Sequence, residues 1–144
     1  MLPTEQLKKN LIRLKQGGIQ SLVKSGIVKN VGYIKELQTE EQMFEGIRSD
    51  GSNITPEYTG FTKRIKASKG DPYDRVTLKD TGDFYKKVYI KLDQDSFALD
   101  SSDPKRDELV HKYKPEIFGL TDKNKRKLSE RMRDTLLKQI KDRL

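Results

Sequence analysis

In the stretch DRVTLKDTGDFYKK, residues 74–87, Asp80 and Asp83 flank a Thr81-Gly82 pair and are followed by Phe84 and Tyr85. Two nearby carboxylates are the raw material of general acid–base catalysis, which needs titratable groups whose surroundings drive their pKa values apart. The same residues have a plainer use. Thr81 offers a side-chain oxygen to the backbone N–H groups of a turn, and Asp83 in a first helical turn meets the positive end of the helix dipole. We read the stretch as a corner of the fold.

Asp93, Asp95, Asp100 and Asp103 raise the question of calcium, but the central glycine and closing glutamate of an EF-hand loop are missing, so solvated turns are expected. His111 is the sole histidine and the chain has no cysteine. That pattern removes histidine metal clusters, Ser-His-Asp triads within one chain, thiolate nucleophiles and disulfides. His111 is expected on a surface or helix flank. KQGGIQS lacks the spacing and preceding strand of a phosphate-binding loop, and neither GxxxxGK[ST] nor GxGxxG occurs. An enzyme resting on Asp80, Asp83 or Glu116 is the least favoured reading; no catalytic residue, metal or cofactor is expected.

The formal charge of +8 on 144 residues biases the chain toward nucleic acid, acidic membranes or acidic protein surfaces. Lys63, Arg64, Lys66 and Lys69 form one basic group, and Lys123, Lys125, Arg126, Lys127, Arg131 and Arg133 another. These can neutralise phosphates; a solvated helix face is the alternative. Within them, Lys63, Arg64, Lys66, Lys123, Arg126 and Arg131 are the candidates to face DNA or a partner. Nothing resembles a zinc-finger or RNP signature for reading bases.

Hydrophobic residues make up 33% and charged residues 36%, and no apolar run approaches the roughly 20 residues a membrane span needs. The opening MLPTEQLKKN lacks a signal-peptide core, so the expectation is a soluble, non-secreted product suited to a reducing cytoplasm. A single domain is expected, with a helical segment over 1–40, a mixed core over 41–120 and a terminal helix over 121–144.

Leu7, Leu11 and Leu14 define an amphipathic helix over 4–16, with Thr4 as cap and Gly17-Gly18 as stop. Ile19, Leu22, Val23, Ile27, Val31, Ile34 and Leu37 continue the helical period, weakened at Gly26 and Gly32. Asp50-Gly51 predicts a hairpin over 43–55. TPEYTGFTKRIKASKG reads as an exposed basic helix. Val88, Ile90 and Leu92, then Phe97 and Leu99, alternate as an antiparallel pair over 87–100. Asp103-Pro104 starts a helix that ends before Pro115. Leu128, Met132, Leu136 and Ile140 give the last helix a stripe for the core or a neighbouring subunit. The fold class is α+β: a small antiparallel sheet packed with N-terminal helices and a long C-terminal helix.

The order of three segments, SDGSNITPEYTGFTKRIKASKG, TLKDTGDFYKKVYI and EIFGLTDKNKRKLSERMRDTL, resembles the virion-morphogenesis and tail-completion proteins of tailed bacteriophages, in the divergent form found in phages of Bacteroidetes-type bacteria. Leu78, Thr81, Gly82 and Phe84 match the family's L-x-x-T-G-x-L/F segment, and Phe118, Gly119, Leu120 and Thr121 match its F-x-G-L-[ST] segment in part. Asp50 and Gly51 stand at the family's DG turn. Where the family carries Arg-Pro before Phe-Gly-Leu, this chain has Pro115-Glu116-Ile117. The resemblance implies a non-enzymatic ring oligomer at the head–tail junction of the virion, assembled in the host cytoplasm. Its implied partners are neck, portal or tail proteins, with DNA threading the channel; no membrane is involved.

Overall fold

The computed structural model describes residues 4–93 and 96–143. Helix α1 spans Thr4–Arg13, and a wide turn over Leu14–Gly18 joins it to α2, Ile19–Lys29. Only Gly17 of the expected glycine stop leaves helical geometry, at φ +113°, a region open to glycine because it lacks Cβ. Gly18 is already helical. The next break falls at Asn30, ahead of α3, Val31–Gln38, while Gly26 and Gly32 stay helical. Asn30 leaves helical ψ and its Nδ2 donates to Gly26 O at 2.8 Å, so a side chain supplies the stop. Gly26 lies against the flexible tip of Met132, whose Cε would be 2.8 Å from a Cβ built there.

The hairpin expected over 43–55 is not a strand pair. A wide helical turn, Thr39–Met43, prolongs α3, and beyond it only the single bridge Ile47–Asn53 forms. The tight turn itself is present: Gly51 sits at φ +86°, its N–H donates to Arg48 O at 2.9 Å, and Asp50 accepts from Ser52 N at 2.9 Å. The arms pair through Arg48 N–H to Ser52 O and Ile54 N–H to Gly46 O, both at 2.8 Å, and the turn is tied to the rest of the chain. Ser49 N–H donates to Glu116 O at 2.8 Å, and the Arg48 guanidinium reaches Tyr113 O, Asn53 O and Thr55 O.

Helix α4, Gly60–Ser68, is capped by Thr59, whose Oγ1 accepts from Thr62 N at 3.2 Å. The corner at residues 78–83 forms as expected: Gly82 has φ +90°, and Asp83 N–H donates to Thr81 Oγ1 at 3.3 Å, opening the short α5, Asp83–Lys86. Strands β1, Val88–Leu92, and β2, Phe97–Ser101, pair antiparallel with Val88 opposite Ser101 and Leu92 opposite Phe97. Part of the turn expected at 93–96, including Asp95, lies outside the described residues.

Helix α6 runs Arg106–Tyr113, beginning two residues after Pro104 rather than at it. Asp103 caps the preceding turn, accepting from Lys105 N at 2.8 Å. A 3-10 turn, Pro115–Ile117, leads to α7, Asp122–Arg143, where Thr121 Oγ1 accepts from Asn124 N at 3.2 Å. The architecture is α+β, helix-rich, with one two-stranded antiparallel sheet and a long C-terminal helix.

Two apolar clusters make the interior. Met43, Ile54, Val76, Leu78, Phe84, Tyr85, Tyr113 and Ile117 form one; Ile27, Ile34, Leu37, Val88, Leu99, Leu120 and Leu128 form the other, and Phe118 packs against both. Between them run residues 117–121, held by two buried glutamines. Gln38 Nε2 donates to Ile117 O at 3.1 Å while its Oε1 accepts from Gly119 N at 2.7 Å. Gln42 Nε2 donates to Gly119 O at 2.7 Å, and its Oε1 accepts from Thr121 N at 2.9 Å and Asn124 Nδ2 at 2.7 Å.

Replacing Gln42 with Leu keeps the volume and leaves three partners unpaired, the Asn124 amide buried and Gly119 O and Thr121 N–H partly buried. Each unsatisfied buried group costs about 1–3 kcal/mol, so Gln42→Leu is expected to lose at least about 3 kcal/mol in urea unfolding. A loss below about 1 kcal/mol would refute the role given to this ladder.

Candidate functional site

The residues of the two phage-like segments are structural in this fold. Leu78 is buried at φ +56°, Gly82 turns the corner, and Phe84 is buried with its ring centroid 6.0 Å from that of Phe118. Gly119 has φ +105°, and a Cβ there would come within 3.2 Å of Ser49 Cβ. Leu120 is buried, and Asp50 and Gly51 are exposed in their turn. These segments are legible because the fold needs them, and Asp50, Phe118, Gly119 and Leu120 also line the surface opening between α2, β2 and α7.

The carboxylates that first suggest catalysis sit on the outside. Asp80 and Asp83 are exposed on the rim of a pocket of about 230 Å³ that Lys66, Lys79 and Tyr58 also line, and Asp80 pairs with Lys69 at 3.7 Å. Glu116 and His111 are exposed. Among the described residues no group of three or more His, Cys, Asp or Glu side chains could hold a metal ion. Asp103 is buried and pairs with Lys87 at 3.7 Å, and Asp100 is tied to Arg106 and Lys91.

A larger opening, about 850 Å³, lies between α2, β2 and α7. Val23, Ile27, Phe97, Leu99, Leu128 and Met132 give it apolar walls, and Asp50 stands on its rim. Hydrogen bonds from the Ser52 hydroxyl and N–H hold the Asp50 carboxyl below the usual aspartate value, so the rim carries an anion. The terminal stripe splits along its length: Leu128 is buried in the core, while Met132, Leu136 and Ile140 are half-buried.

An apolar helix face stands apart from this groove. Helix α1 contains no buried residue; Leu7 and Leu11 are 37% and 43% exposed and Ile12 is 52% exposed. Its main packing partner is the wide turn that follows it. An isolated helix of ten residues is marginal in water, and Leu7, Leu11 and Ile12 of α1 are left exposed in this chain.

The six candidate cations divide by what they touch. Lys63 pairs with Glu57 at 3.7 Å; Lys66 donates to Lys79 O at 3.0 Å and lies over the Tyr58 ring; Arg131 lies 4.2 Å from the Tyr33 ring centroid. Lys66 and Arg131 are engaged within the fold, and Lys63 makes a loose surface pair. Arg64, Lys123 and Arg126 are exposed, and among the described residues none of them makes an ion pair. The residues that sequence reasoning missed, Gln38, Gln42 and Arg48, carry a faint signal: ELQTEEQMF places two amides four residues apart on a helix whose neighbouring positions are apolar.

No family model, curated protein or solved structure matches this chain. No helix among the described residues is long and apolar enough to cross a membrane.

Asp100 gives a pH dependence. Burial pushes its carboxyl up, but hydrogen bonds from the Arg106 side chain and Ser101 N–H outweigh it and leave the group below the ordinary aspartate value. A depressed carboxyl contributes stability above its unfolded pKa, about 4, and loses it as pH falls through the lower folded value. Asp100→Asn is expected to lower the melting temperature at neutral pH and to flatten the acid limb of the stability curve. Parallel wild-type and variant curves from pH 7 down to acid would contradict the linkage.

Proposed function

We propose that this chain is a structural, non-enzymatic virion protein of a tailed phage that forms a ring at the head–tail junction, as a neck, connector or tail-completion component. The observation that carries the reading is a pair of unlike surfaces on one chain: the exposed apolar face of α1 and the open apolar groove between α2, β2 and α7. When one copy's α1 fills the groove of the next, the two sides of the contact differ. Such a head-to-tail interface repeats from copy to copy and closes into a ring when the rotation divides a full turn.

Helix α1 carries Lys8, Lys9 and Arg13 against the single acid Glu5, and the groove is lined by one acid, Asp50, and one cation, Lys125, so the contact rests on apolar burial. Burial of Leu7, Leu11 and Ile12 would remove large apolar side chains from water, each worth about 1.5–3 kcal/mol when fully covered. The placement in a virion rests on the ordered resemblance of residues 43–140 to tail-completion proteins; the partners on either side would be portal, neck or tail rings.

Leu7→Glu combined with Leu11→Glu is expected to abolish assembly while leaving the circular dichroism melt within a few degrees of wild type, since neither residue belongs to the core. Sedimentation of wild type and variant checks the interface, and cryo-electron microscopy of the phage encoding the chain checks its place. Density for a ring at the head–tail junction is expected; absence of the protein from purified particles would overturn the virion reading. Unchanged assembly by the double variant would overturn the α1–groove contact.

A further inference from the structure

We propose that the outer face of α7 is a surface for the sugar-phosphate backbone of duplex nucleic acid, gripped without base readout. The inference goes beyond the assembly reading and does not depend on it. Helix α7 bears nine cations against four acids. Its inward flank uses two of those cations structurally: Lys127 pairs with Glu41 at 3.1 Å, and Arg131 covers Tyr33. At 100° per residue, Lys123, Arg126, Arg133 and Lys141 fall within about 40° of the direction opposite Leu128; the apolar stripe winds round the helix, so its last member, Ile140, lies about 20° from Arg133. All four are exposed.

Their neighbours do little to neutralise them. Arg133 reaches the adjacent Asp134 only at 4.0 Å with both side chains largely exposed; Glu130 shares the outer face, and Asp134 and Asp122 stand at its two edges, each about 20° from the nearest of the four cations. Such loose surface pairs are worth little and yield to a stronger anion. From Lys123 to Lys141 the helix rises about 27 Å, and Arg126 and Arg133 lie about 10 Å apart along it. A straight cationic ridge of this length follows the closely spaced phosphates of a duplex, whose major groove is wide enough to admit a helix.

The composition favours a polyanion over a protein partner. Protein interfaces centre on buried aromatic and apolar anchors and are depleted in lysine and glutamate. This face offers only Leu137, which is 50% exposed, amid charges. Phosphate contacts fix position but carry no sequence information, so binding should be indifferent to sequence.

Fluorescence anisotropy with a labelled duplex of arbitrary sequence, across a potassium chloride series, tests the proposal. Wild type is expected to bind with a log–log salt slope of about −3 to −4, from four phosphate contacts. Arg126→Glu combined with Arg133→Glu should weaken binding by about tenfold or more and flatten the slope by about two. The same change of charge placed elsewhere, Lys86→Glu with Lys105→Glu, should alter affinity less than about threefold. If the α7 reversals disturb folding, Arg126→Gln with Arg133→Gln should still flatten the slope. Sedimentation of the same samples separates lost assembly from lost binding. Equal losses for both charge-reversed pairs, no duplex binding by wild type at low salt, or equal affinity for poly-L-glutamate would each overturn the proposal.

Discussion

Two glutamine side chains act as a strand where no strand exists. Gln38 and Gln42 are four residues apart along a helical path, a rise of about 6 Å, and extended backbone advances about 6.6–6.8 Å over two residues. The near match lets each amide meet alternate residues of the 117–121 segment with a donor and an acceptor. Backbone that crosses an interior must be paired, and this segment crosses between two apolar clusters. The rest of the arrangement follows from that constraint: Phe118 joins the clusters, Gly119 passes Ser49, Leu120 enters the second cluster, and Thr121 starts α7.

With α7 placed by its first turn, both surfaces invoked for function follow. Its inner face meets α2 where Met132 lies against Gly26, and the space left beside β2 becomes the apolar groove. Its outer face is then committed to solvent with its cations. A connection between stability and function runs through one short segment. The corner at residues 78–83 is a second such anchor: Thr77 bonds to the Tyr58 hydroxyl through its N–H and accepts from the Tyr85 hydroxyl through its carbonyl. Burial drives the Tyr85 hydroxyl far above the ordinary tyrosine value, which keeps it a donor.

Local signals were sufficient where a side chain or a glycine acts on its own neighbours. The alternation of Val88, Ile90, Phe97 and Leu99 gives the observed β1–β2 pair, the Thr81-Gly82 corner forms as read, and Thr121 caps the last helix. They failed where a distant partner claimed the backbone. Asp50-Gly51 does turn the chain, but its arms pair only at the Ile47–Asn53 bridge, and the Ser49 N–H within the turn goes to Glu116 O. Arg131 looked like a free cation and is spent on Tyr33, ninety-eight positions away in sequence and adjacent in space.

Charge, helical and strand periodicity, turn chemistry and the absence of cysteine were determined by the amino-acid sequence alone, because each depends on residues within a few positions of one another. Which cations remain unpaired, which apolar faces are left uncovered, and why two glutamines belong in the core were decided by the tertiary structure. Those properties arise between residues some eighty positions apart, as Gln38 and Gly119 are, and a linear chain carries no local mark of which distant backbone group will complete a side chain's hydrogen bonds.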